Sequence, residues 1–157
     1  MRVVSFVVAA LLILCCSAVA DDADKLLGTW KVVSAVVEDI QTKEKTPLYG
    51  DHPKGYLVLL PSGRMMALLI SEGRKQPQTD VERAIAYRSM VAYTGKYTIK
   101  GNTWTTRPDV AWNEQYMVDQ VRFFKIEGNS LIVETAPVVS PDFGKVVRFV
   151  VVWERGE

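Results

Sequence analysis

Leu27-Gly28-Thr29-Trp30-Lys31-Val32-Val33-Ser34-Ala35-Val36-Val37-Glu38-Asp39-Ile40 decides the fold class. Alternation along this stretch is poor, but it is dense in valine and holds no proline, which is the composition of a long β-strand. Outward from it the chain continues strand after strand. Residues 55–60 and 64–71 are two apolar runs joined by Pro61-Ser62-Gly63, a hairpin signal in which Gly63 supplies positive φ. Strand character returns at 93–100, before the turn Gly101-Asn102, and at 103–106, with 109–113 continuing past Pro108. Residues 120–126 and 130–135 flank Glu127-Gly128-Asn129, a second hairpin signal, and 146–154 form the last strand. Residues 41–54, with Pro47, Gly50 and Pro53, form a loop, as does the stretch holding Pro137, Pro141 and Gly144.

One segment changes period. Thr79-Asp80-Val81-Glu82 is a capping box, and Val81, Ala84, Ile85, Arg88 and Val91 recur at helical spacing. A helix is expected over about 80–91, inserted after the third strand. About eight antiparallel strands in sequence close naturally into an up-and-down barrel, which leaves no exposed edge. A flattened sandwich is the structural alternative.

The N-terminus has the three regions of a secretory signal. Met1-Arg2 is basic, residues 3–16 are apolar except for Ser5, and Ala18-Val19-Ala20 is a small-x-small cleavage site before Asp21-Asp22. The apolar core is short for a membrane span of ~20 residues. Leu14 before Cys15 also lacks the small residue that lipid attachment wants. The expected organisation is a signal peptide over 1–20 and one domain over 21–157, in a secreted or periplasmic protein. Cleavage after Ala20 removes Cys15 and Cys16, so no disulfide is available and packing alone holds the domain. It also removes Arg2. Lys+Arg 19 against Asp+Glu 18 then becomes an even balance, which gives no general attraction to nucleic acid or to an anionic membrane. No second apolar stretch is long enough to span a bilayer.

Gly28-Thr29-Trp30 near the start and Val152-Trp153-Glu154-Arg155 at the end resemble the lipocalin superfamily. With Tyr49-Gly50-Asp51-His52-Pro53, Gly63-Arg64-Met65-Met66-Ala67, Asp109-Val110-Ala111-Trp112-Asn113 and Gln120-Val121-Arg122-Phe123-Phe124, the chain is similar to bacterial and fungal proteins with a lipocalin-like domain. The ordered set spans the chain after the leader. It implies an eight-stranded lipocalin-like barrel that holds a small apolar molecule. It also implies structural roles for Gly28 and Trp30, with the tryptophan closing one barrel end. A basic residue of the last strand, Arg155 or Arg148, would lie across Trp30 as a cation–π contact. Two departures from classical lipocalins stand out. Their helix follows the barrel, and they usually carry a disulfide.

Few residues can do chemistry. His52 is the only histidine, so a two-histidine metal site is excluded, and a thiolate site leaves with the leader. No alternating Asp loop for calcium, no Gly-x-Ser-x-Gly elbow and no Gly-rich nucleotide loop is present. No metal or cofactor is expected. His52, beside Tyr49 and Asp51, is either a solvated loop residue or a ligand donor or general base at the barrel mouth. On the strand 120–126, Gln120, Arg122, Phe124 and Ile126 share one side. An inward Arg122 is a buried cation that needs Glu134, Asp109 or a ligand carboxylate; an outward one is solvated. Trp112 can stack on a flat ligand or fill the core. Met66, beside Met65, can line an adaptable pocket or be plain core.

The primary expectation is an exported barrel that binds a small hydrophobic or amphipathic molecule. Its candidate ligand residues are His52, Arg64, Met66, Asp109, Trp112, Asn113, Arg122 and Glu134. A second reading is a cofactor-free isomerase, cyclase or dehydratase using His52 with Asp109 or Glu134 as the acid/base pair. A third is an interaction module whose barrel is filled by its own Val, Phe and Trp side chains. The helix is either a lid over the open end or a fixed cap.

Overall fold

The computed structural model describes residues 24–156. The signal-peptide reading, with Cys15, Cys16 and the cleavage site at Ala20, lies outside the described residues. A helical turn at 24–26 leads into β1 (Gly28–Asp39), the strand expected from the valine-rich stretch. Strands β2 (Lys45–Pro47), β3 (Lys54–Leu59) and β4 (Arg64–Ile70) follow. Helix α1 (Asp80–Arg88) precedes β5 (Met90–Lys100) and β6 (Thr103–Ala111). A 3₁₀ turn at Glu114–Tyr116 connects to β7 (Gln120–Glu127), β8 (Ser130–Glu134), β9 (Val138–Ser140) and β10 (Lys145–Arg155).

Every pairing is antiparallel. Strands β1, β3, β4, β5, β6, β7, β8 and β10 pair in that order, and β10 returns to β1. The closing ladder runs from Trp30 opposite Arg155 to Asp39 opposite Val147. The sheet is therefore a closed eight-stranded barrel with one inserted helix, not a flattened sandwich. Closure satisfies the strand edges that an open sheet would expose.

The differences from expectation are local. Two short strands lie in segments read as loops: β2 pairs with Val36–Glu38 of β1, and β9 pairs with Lys145–Val147 of β10. Helix α1 carries the expected capping box, Thr79 with Glu82, but ends at Arg88 rather than near 91. Met90 and Val91 instead pair with Ile70 and Leu69 of β4, and Val91 is buried. Burying that valine in the sheet outweighs one further helical turn. β6 runs unbroken through Pro108, which faces Gly95 at an irregularity of the β5–β6 ladder. A proline cannot donate to the ladder and fits at such a position. In the β3–β4 turn Gly63 takes φ +76° as expected.

The core fills one end of the barrel. Leu26, Trp30, Leu59, Met65 and Leu131 are each 1% exposed or less. This end carries the tight β3–β4, β5–β6 and β7–β8 turns. The long connections 40–53, 71–89, 112–119 and 135–144 all gather at the other end. At that end Asp39 terminates β1: its carboxylate pairs with Lys145 at 2.8 Å and accepts the Gln41 and Thr42 N–H groups. The lysine first, then the two N–H groups, hold its pKa down at about 2.

Candidate functional site

The floor is built from the two chain termini of the barrel. Trp30 is fully buried and donates its Nε1–H to the Leu26 carbonyl at 2.8 Å. The Arg155 guanidinium lies 3.8 Å from the centre of the Trp30 ring. The same guanidinium donates to the carbonyls of Leu27 and Lys25. Gly28 takes φ +116°, and a Cβ there would stand 3.2 Å from Arg155 Nη1. The glycine thus gives the arginine room to cross the tryptophan. Of the two cations expected for this role, Arg155 takes it. Arg148 instead pairs with Glu134 at 2.7 Å and with Glu38 at 3.2 Å.

Above the floor the barrel is hollow. A cavity of about 550 Å³ opens among Leu57, Ala67, Leu69, Val91, Tyr93, Trp104, Arg122, Val133, Val151 and Trp153, so strands β3 to β8 and β10 all contribute. That volume is in the range of small-molecule sites. Its mouth is formed by Leu48 and Tyr49 before β3, Ile85 and Arg88 of α1, Tyr116, and Asp142 and Phe143 before β10. The filled-barrel reading does not describe this molecule.

The walls are mostly apolar, with a small polar set. Arg122 faces the cavity, opposite Trp104 in the β6–β7 ladder. Its Nη1 donates to the Val121 carbonyl at 2.8 Å and its Nη2 to Gln120 Oε1 at 2.7 Å. Gln120 is itself anchored through its amide to the carbonyls of Val118 and Tyr116. Tyr49, Tyr93 and Tyr116 add hydroxyls, and burial pushes the pKa of all three up. The Arg122 charge opposes that rise at Tyr93 and Tyr116. These phenols stay protonated at neutral pH and offer hydrogen-bond donors.

Of the residues singled out from sequence, Arg122 and Glu134 line the cavity. The Glu134 carboxylate stands at the end of β8, held by Arg148. Arg64 and Asp109 sit on the outer wall, paired bidentately at 3.0 and 2.7 Å. Met66 is 55% exposed on the outer face of β4, because Met65 and Ala67 take the inner positions. His52 is exposed in the loop before β3, its backbone N–H bonded to Glu72. Asn113 caps the 3₁₀ turn by accepting from Gln115 N–H. Trp112 packs against Tyr87 and Tyr116 rather than opening onto the cavity, and it exchanges hydrogen bonds with Tyr87. The structure therefore brings neither His52 nor Asp109 to the cavity. It adds Tyr49, Tyr93, Trp104, Tyr116 and Trp153, which sequence reading missed.

Among the described residues no group of three or more His, Cys, Asp or Glu side chains is placed to hold a metal. No helix there is long and apolar enough to cross a membrane. No curated protein matches the chain. The model of the lipocalin-like domain family matches residues 27–156, from the start of the Gly28–Trp30 motif to the end of β10. The floor, the closed barrel and the extent of this match agree: the chain belongs to the lipocalin-like domain family.

Proposed function

We propose that this chain binds a small apolar or amphipathic molecule inside its barrel. The observation that carries the reading is the cavity of about 550 Å³, closed below by Trp30 and walled by aliphatic and aromatic side chains. Contact with those walls stabilises a ligand by about 25 cal/mol per Å² of apolar surface buried, and the few polar groups orient it. Binding takes place outside the cytoplasm, in a periplasm or extracellular space. The basic, apolar and small-x-small order of residues 1–20 supports that location. The cofactor-free isomerase, cyclase or dehydratase reading draws no support from its acid/base pair. His52 does not line the cavity, Asp109 is held by Arg64 on the outer wall, and Glu134 is held by Arg148.

The test is native mass spectrometry of the mature protein purified from its own host, set beside its denatured mass. A retained small molecule is the expected result. A titration with decanol, followed through the emission of cavity-lining Trp104 and Trp153, completes it. An apo mass together with no spectral response at saturating decanol overturns the reading.

A further inference from the structure

Arg122 puts a cation on the cavity wall with only neutral hydrogen-bond partners, and we propose that the ligand carries an anionic head, a carboxylate, bound by Arg122. This inference rests on the binding role argued above and narrows it to a class of ligand. Arg122 brings a permanent positive charge to the cavity wall. Its contacts are neutral oxygens, the Val121 carbonyl, the Gln120 side-chain amide and the Tyr93 hydroxyl. Of the acids lining the cavity, Glu134 is held by Arg148 and Asp142 stands out at the mouth; Asp109 is held by Arg64 on the outer wall. A cation on an apolar wall is costly without a counter-charge. A bound anion supplies one.

The Tyr93 hydroxyl, in hydrogen-bond range of the Arg122 guanidinium, keeps its own proton to donate to a bound oxygen. Gln120 acts as a positioning residue, since its Oε1 holds one arm of the guanidinium while its amide is anchored to the backbone.

The experiment compares decanoate with decanol at neutral pH, by calorimetry and Trp emission, on wild type, Arg122→Met and Arg122→Lys. Matched melting curves and near-UV circular dichroism establish that each variant is folded. Wild type is expected to favour decanoate over decanol by roughly tenfold to a hundredfold, the range of a charge-assisted hydrogen bond. Arg122→Met is expected to lose that preference, and Arg122→Lys to keep part of it. Should Arg122→Met fail to fold, wild-type preference and its loss in Arg122→Lys with Gln120→Leu decide the matter. Equal affinity of wild type for the two probes overturns the anionic head while leaving the carrier role standing. Binding of neither probe overturns both. Acetate competing as strongly as decanoate overturns the apolar-tailed ligand in favour of a free small anion.

Discussion

At the scale of single residues, Arg155 carries more than its exposed position suggests. Its guanidinium covers the Trp30 ring and closes the 24–26 turn through the carbonyls of Leu27 and Lys25. A cation–π contact at a partly exposed site is worth about 0.5–1 kcal/mol, and each hydrogen bond from a charged donor adds about 1.5 kcal/mol at its low end. Arg155 is exposed, so water recovers part of these terms, and Arg155→Ala is expected to lower stability by about 1–3 kcal/mol in chemical denaturation, less than their sum. Arg155→Lys should recover less than half, because one ammonium cannot cover the ring and reach both carbonyls. Full recovery by lysine would reduce the contact to simple charge. This device was legible in sequence as Gly28-Thr29-Trp30 with a basic residue near the C-terminus, although not which basic residue. The facing of Arg122 was left open by the sequence, because Phe124 and Ile126 on one side of the strand and Val121 and Phe123 on the other are all apolar; burial of Gln120 and Phe124 puts the arginine on the inner side. Arg64 and Asp109 were misread for a physical reason. Their neighbours, Met65-Met66 and Val110-Ala111, are apolar on both strand faces, so nothing in the local pattern says which side is inner. The ion pair that keeps them outside joins residues 45 positions apart.

At the scale of elements, α1 has no buried residue of its own, yet it lies across the cavity mouth through Ile85 and Arg88. What ties it to the barrel is the reciprocal pair between Tyr87 and Trp112: the phenol donates to the Trp112 carbonyl at 3.0 Å, and the indole donates to the Tyr87 carbonyl at 3.2 Å. A helix held by two such bonds and little apolar burial opens at low free-energy cost. Trp112→Phe removes one bond and keeps an aromatic ring for Tyr116. The expected outcome is a severalfold rise in both association and dissociation rates of a decanol-type probe in stopped flow, with equilibrium affinity changed less than the rates. Unchanged rates would make α1 a fixed cap. The helix itself was legible from its capping box, but its end was not. Val91 fits the helical face in sequence and the β5 ladder in space, and only tertiary pairing with Leu69 decides between them. Strands β2 and β9 were invisible for a related reason. At three residues each they carry no periodicity, and their sequences include turn-forming or exposed side chains.

At the scale of the whole molecule, the division between a packed floor and a hollow upper barrel is what makes the protein a container. Sequence reading reached the closed barrel but not the hollow, because cavity volume depends on which face each strand turns inward, and runs such as Val150-Val151-Val152 leave that open. Adjacent residues of β4 now separate the two faces. Ala67 is buried, lines the cavity and sits between Leu57 and Tyr93 across the ladders; Met66, one residue before it, is more than half exposed on the outer wall. Ala67→Trp therefore projects an indole into empty apolar space. It should fold with a melting temperature equal to or above wild type, since new apolar surface is buried against the walls at about 25 cal/mol per Å² with no atoms displaced to cause overpacking strain. The same indole occupies ligand volume, so affinity for apolar probes should fall by about tenfold or more, the effect of losing 1.4 kcal/mol or more of contact. Met66→Trp adds the same side chain one position away, on the outside, and should bind as wild type does. If the two variants bound equally well, the ligand would sit somewhere other than the barrel interior. If Ala67→Trp unfolded while Met66→Trp did not, the upper barrel would be packed rather than hollow.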